Sequence, residues 1–219
     1  MTSLNMWTDK KEIFPGIRIY SGVFKTEHNF IKRVEDFSNR PDVDWVDGTV
    51  GYGDKISHYR DCVDIKFGDI KIPRTQKQVE NNKIWKDMYD AQINAVNDYS
   101  SDYNVKLEFW EVMNFIKYLP GQHFKEHADH GFSYSATVSL VGYPNDDYEG
   151  GGLTFPKLNI SIKPKAGDLY IFPSTYLFSH VAEPVESGIK YSIVTMLDYN
   201  DHAHNDEFYE MRERRLKKK

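Results

Sequence analysis

The second half of the chain is broken into short pieces. "YSATVSLVGY", "GLTF", "NISIK", "DLYIF", "HVAEPV" and "IKYSIVTML" are β-branched or aromatic runs set apart by Gly, Pro, Asn or Asp, and a longer run, "LEFWEVMNFIKYL", precedes them. Six or more short strands with a turn every ~8–12 residues predict a β-sandwich or jelly roll. The first hundred residues differ in texture. "GIRIYSGVF" alternates as a strand does, and Thr26 is expected to cap a helix through "EHNFIKRVEDFSNR" that stops before Pro41. Residues 42–74, rich in Asp, Gly and Tyr, read as loops and short strands. From Thr75 the apolar residues Val79, Trp85, Met88, Tyr89, Ile93 and Val96 mark one face of a helix to about Tyr99. Helices of this kind pack on one sheet, so the expected class is α+β, mainly β. A single domain over 1–219 is expected: N-terminal strands and supporting helices in 1–104, the β core in 105–199 and a polar C-terminal tail in 200–219.

Composition narrows the function classes. The net charge of -5 gives no overall basic field, so no nucleic-acid partner is expected. A single cysteine, Cys62, excludes an internal disulfide and a cysteine-based zinc cluster. No apolar run approaches the ~20 residues of a membrane span, and the N-terminus lacks the apolar core of a signal peptide. A cytoplasmic protein with no membrane partner is therefore expected. The ending "RERRLKKK" reads as a solvated, frayed tail, and "DHAHND" as solvated loop polarity.

The chemistry concentrates in "PGQHFKEHADHGFS", residues 120–133, which has two incompatible readings. On a helix, His123, Glu126 and His127 form an inverted zinc-peptidase signature. That helix would be hemmed between Pro120-Gly121 and Gly131, with only Phe124 and Ala128 to bury, and its third ligand would have to come from around Glu207 or Glu210. In a strand, His127 and Asp129 point to the same face and can take adjacent positions on one metal. His180, at the start of a strand 51 residues beyond Asp129, supplies a third ligand. Two His and one carboxylate leave open positions, which suits Fe(II) oxygenase chemistry better than zinc. Lys190 and Ser192 follow on one strand face. A Lys facing such a site needs an anionic partner, and a dicarboxylate chelating iron at its other end would provide it; taken alone, Lys190 reads equally as an exposed strand residue.

Together, "YLPGQHFKEHADH", "YEGGGLTFP", "KPKAGDLYIFPS" and "HVAEPVESGIKYSIVTML" resemble the 2-oxoglutarate- and Fe(II)-dependent dioxygenases, and within them the prolyl 4-hydroxylase branch. The resemblance covers about residues 105–199, with weaker likeness in "GVFKTEHNFIKRVE" and "SHYRDC". It implies a double-stranded β-helix (jelly-roll) core, with His127, Asp129 and His180 as iron ligands. It implies that Lys190 pairs with the distal carboxylate of 2-oxoglutarate, with help from the Tyr118 hydroxyl and from Ser192. Either Thr137 or Ser139 would line that pocket. Arg60 would contact a peptide substrate; a surface Arg in a loop is the alternative. The cofactors implied are Fe(II), 2-oxoglutarate and O2, with ascorbate as reductant, and the partner implied is a Pro-containing peptide or protein held under the loop at 45–62. His123, Glu126 and Tyr191 depart from the residues many relatives carry, which bears on substrate choice. Hydroxylation of another side chain or a small molecule, and a non-catalytic jelly-roll binding module, are the competing readings.

Overall fold

The computed structural model describes residues 7–51, 53–131 and 134–205. The larger sheet has nine strands, all antiparallel. Its order is Asp9–Phe14, Ile17–Ser21, Leu169–Pro173, Val138–Gly142, Lys190–Asp198, Met113–Tyr118, Val63–Phe67 and Val46–Asp47, with Phe109–Trp110 also paired to Lys190–Asp198. Opposite it lies a five-stranded sheet in the order Ile160–Ile162, Leu153–Phe155, His180–Ala182, His123–His127 and Arg60–Asp61. Glu149–Gly150 and Val185–Ser187 form a separate pair. The expected architecture is present: a jelly roll, or double-stranded β-helix, with helices outside one sheet.

Strand alternation divides the larger sheet between two cores. Met113, Phe115, Leu140, Leu169, Ile171, Ile193 and Leu197 face outward. They pack against Phe30, Val34 and Phe37 of the Phe30–Ser38 helix and Ile84, Met88, Ala91 and Ala95 of the Gln76–Tyr103 helix. Their neighbours Val141, Tyr143, Tyr170 and Phe172 face inward and meet Leu153 and Phe155 of the smaller sheet. Burial on both faces explains why these strands read as nearly continuous apolar runs. At Gly142 the Phe24 ring occupies the space of a side chain, 2.1 Å from where a Cβ would stand. Gly142→Ala is therefore expected to cost about 1–3 kcal/mol of stability by overpacking, read from denaturant unfolding.

Several local expectations are corrected. Thr75 does cap the long helix, accepting from the Gln78 amide, but the helix runs to Tyr103 and ends on Asn104 in the left-handed region. Thr26 opens a short 3-10 turn instead, and the following helix starts at Phe30 behind Asn29 at φ 48°. "HVAEPV" is two strands in different sheets, broken where Pro184 has no amide to donate. "LEFWEVMNFIKYL" likewise divides at Glu111-Val112. Among the described residues no helix is long and apolar enough to cross a membrane. The "RERRLKKK" ending, Glu207 and Glu210 lie outside the described residues.

Candidate active site

The segment 123–127 forms a strand, so the helical signature is not formed. Glu126 turns away to Lys157 and to the Ser179 hydroxyl. His123 stands opposite Asp61, with its Nδ1 at 3.2 Å from the Gly121 carbonyl. His127 ends the strand and lies directly opposite His180 in the neighbouring one. Asp129 follows two residues later, its Oδ1 at 3.6 Å from His127 Nε2 and its Oδ2 at 3.8 Å from His180 Nε2. One ligand atom from each of the three residues lies within 4.8 Å of the others.

The surroundings suit these groups to a divalent metal. His127 Nδ1–H donates to the Lys125 carbonyl at 2.8 Å, and His180 Nδ1 faces the Phe178 carbonyl at 3.2 Å. Bonds of this kind leave each Nε2 lone pair for a metal. Burial, reinforced by the neighbouring His180, pulls the His127 pKa down to about 3, so the ring is neutral at ordinary pH. The Ser139 hydroxyl donates to Asp129 Oδ2 and is paired in turn with Ser174. Two neutral imidazoles, one carboxylate and oriented second partners form a donor set that fits Fe(II).

From this triad a cavity runs between the two sheets, walled by Ile116, Val141, Leu153 and Val194, and reaches Lys190. Lys190 is 1% exposed and stands opposite Tyr118 in the strand register. Its Nζ donates to the Gly151 carbonyl at 2.8 Å and lies 5.1 Å from the Tyr118 ring and 5.5 Å from that of Tyr143. Among the described residues no carboxylate is bonded to it. Burial, reinforced by Lys163, pulls the Lys190 pKa down to about 7. Gly151 sits at φ 61°, and a Cβ there would stand 3.0 Å from the Lys190 stem and 2.9 Å from the Tyr148 ring, so the Gly run of "YEGGG" lets the backbone close on the amine. Ser192 lines the same cavity. The Tyr118 hydroxyl, which meets the Cys62 thiol, is held in its protonated form by burial.

Almost all of this cavity is built from residues 113–198, and that stretch matches the 2OG-Fe(II) oxygenase superfamily. Over that stretch the chain is similar to 2OG-Fe(II) oxygenases. It is similar to a protein named provisionally as a prolyl 4-hydroxylase from Acanthamoeba polyphaga mimivirus, with 26% identity over 57% of this chain and 61% of that one. It is also similar to a PKHD-type hydroxylase of Prochlorococcus marinus (strain MIT 9515), with 38% identity over 34% of this chain and 35% of the other. The chain thus spans less than two-thirds of the length of either relative. Among solved structures, a prolyl hydroxylase from Trichoplax adhaerens, in complex with a peptide fragment of a hypoxia inducible factor oxygen degradation domain, shares the fold. Its TM-score is 0.66 at 16% identity, over 90% of this chain and 86% of that one.

The other expected site residues divide. Arg60 is not in a surface loop. It lies on an edge strand, donating to the Thr49 carbonyl at 2.7 Å and to Asp64 at 3.3 Å, with Nε at 3.3 Å from Cys62 Sγ. It lines both the inner cavity and an outer groove shared with Thr49, Val50, Tyr59 and Lys66. Neither Thr137 nor Ser139 lines the inner cavity: Thr137 bonds Asp198, and Ser139 holds Asp129. Tyr143 was missed, although strand alternation from Ser139 through Val141 points to it. "DHAHND" is also corrected. His204 is packed, its side chain 1% exposed, stacked 4.1 Å from Phe109 and bonded to Glu111 and Asp198. Those two carboxylates, one at the end of Lys190–Asp198 and one in the break after Phe109–Trp110, give the ring a reason to leave water.

Proposed function

We propose that the chain is a 2-oxoglutarate- and Fe(II)-dependent dioxygenase that hydroxylates a residue of a peptide or protein, with a prolyl residue as first choice. The observation that carries this reading is the placement of a two-His, one-carboxylate triad and a buried Lys, bonded to no carboxylate among the described residues, at opposite ends of one cavity. His127, Asp129 and His180 hold Fe(II). Lys190 takes the far carboxylate of 2-oxoglutarate, with the Tyr118 and Ser192 hydroxyls as further donors. Iron loaded with 2-oxoglutarate and O2 supplies oxidation of a C–H bond to an alcohol, with succinate and CO2 as coproducts, and ascorbate keeps the metal reduced.

The chain's own residues do the rest by position. The apolar walls Ile116, Val141, Leu153 and Val194 exclude water from the cosubstrate stem, which strengthens the Lys190 contact. The triad lies where the inner cavity meets the outer groove, since both are lined by His127 and Asp129. A substrate in the groove therefore presents its C–H bond to the metal from the side away from Lys190, with Arg60 at its edge. The prolyl choice is supported by the names of the mimivirus relative and of the Trichoplax structure.

The test begins without a substrate. Anaerobic Fe(II) plus 2-oxoglutarate is expected to give a weak visible charge-transfer band near ~500 nm, characteristic of chelation at an open site of this type. A succinate-coupled screen of Pro-containing peptides then examines the substrate. Absence of the band, together with tight zinc retention and peptide cleavage, would overturn the proposal.

A further inference from the structure

Phe124 and His127 are three residues apart, a spacing that puts side chains on opposite faces of a regular strand. Here they meet. His180 pairs with His127 and Ala182 with Phe124, so two steps on one strand match three on the other. Such a bulge re-aims side chains. The Phe124 and His127 rings are stacked, 3.5 Å apart between centroids and 12° from parallel. The Arg60 guanidinium stands 4.9 Å from the Phe124 centroid, directly opposite it in the strand register, and the Tyr59 ring meets Phe124 edge-on at 5.8 Å. This outer pair is itself tied down. Arg60 is held by Asp64 and the Thr49 carbonyl, the Tyr59 hydroxyl donates to the Glu126 carbonyl at 2.6 Å, and the Lys125 amide donates to the Tyr59 carbonyl at 2.8 Å.

We propose that Phe124 is a positioning residue for the metal centre: it fixes the plane of the His127 imidazole by stacking, and is held in place by Arg60 and Tyr59 from the wall of the outer groove. The inference rests on the reading of His127 as an iron ligand. The carbonyl bond holds the ring at Nδ1, and a face-to-face neighbour adds a restraint on the tilt of its plane. Arg60 acquires a role that needs no substrate anion, in keeping with the Asp64 carboxylate already beside it. Phe124 touches the ligand ring and no reacting atom, so its effect falls on metal affinity and geometry.

The test uses the full-length protein and Co(II) as the probe, added anaerobically and followed by its visible ligand-field bands. Phe124→Leu keeps apolar volume and removes the ring. It is expected to weaken Co(II) binding about tenfold, as loss of groups that orient metal ligands does, and to change the band shape. Phe124→Tyr is expected to restore both, while the thermal midpoint of the metal-free protein is the same in both variants. Arg60→Lys keeps a charge beside Asp64 and loses the flat guanidinium, with an expected weakening of about threefold. Wild-type affinity and spectrum in Phe124→Leu would overturn the proposal, as would a Phe124→Tyr variant as weak as Phe124→Leu. Should Phe124→Leu not fold, Arg60→Lys decides, and unchanged Co(II) binding there counts against the inference. A wild-type protein that binds no Co(II) fails the metal reading itself; a wild type that binds, with unaltered variants, fails only the stacking.

Discussion

Asp129→Ala is expected to lose Fe(II) binding by at least ~100-fold and to form no succinate, because it removes the only negative charge among the three ligands. Metal content after anaerobic gel filtration and coupled succinate release measure the two effects separately. His123→Ala supplies the contrast. Its ring meets backbone carbonyls on the minor-sheet edge, so its loss should leave metal binding intact. The reverse pattern, with metal lost in His123→Ala and kept in Asp129→Ala, would restore the peptidase signature that the strand geometry displaces.

The second large effect is at the other end of the cavity. Lys190→Met is expected to raise the 2-oxoglutarate requirement roughly a hundredfold, the scale of removing one partner from a buried charge pair. The methionine keeps the length of the stem, so the fold is spared. The metal-free, ligand-free protein should lose no stability and can gain some, since a buried amine without a carboxylate is itself a cost. The sign of the pH dependence follows from the amine's pKa of about 7 in the empty pocket. Cosubstrate affinity should be fullest below pH 7 and fall as pH rises through it, because the free protein increasingly carries a neutral amine. The stability of the empty protein moves the other way, rising with pH between about 7 and the ordinary lysine value of 10.5, where the unfolded chain binds more protons. Titrations with 2-oxoglutarate at several pH values distinguish this from a fixed positive charge. An affinity independent of pH, or a Lys190→Met variant with unaltered affinity, would remove Lys190 from the pocket chemistry.

Most of the core was legible because strand runs, turns and the His-x-Asp spacing are local. His127, Asp129 and His180 are legible as a set, through spacing and the strands that carry them, and Lys190 only in their company. What was not legible depends on how the chain turns and pairs, which residue type alone does not state. Nothing near Arg60 announces that Asp64 and the Thr49 carbonyl will enclose it, and its segment read as loop. His204 read as solvated because one carboxylate partner, Glu111, lies 93 residues back in the chain, and nothing local says that the other, Asp198, will turn toward it. The bulge that joins Phe124 to His127 is set by pairing with His180 and Ala182, more than fifty residues away. Thr137 and Ser139 could not be separated, since both bond an aspartate and only the register says which one.

The strand Lys190–Asp198 writes two messages in alternate letters. Lys190, Ser192, Val194 and Met196 speak to the cavity, while Tyr191, Ile193 and Leu197 speak to the helices. Substitution can revise either text without touching the other. Insertion or deletion of one residue cannot, because it would exchange pocket for scaffold along the whole strand at once. Changes of length belong instead between the strands Val46–Asp47 and Arg60–Asp61, while the strand that carries Lys190 admits only replacement in place.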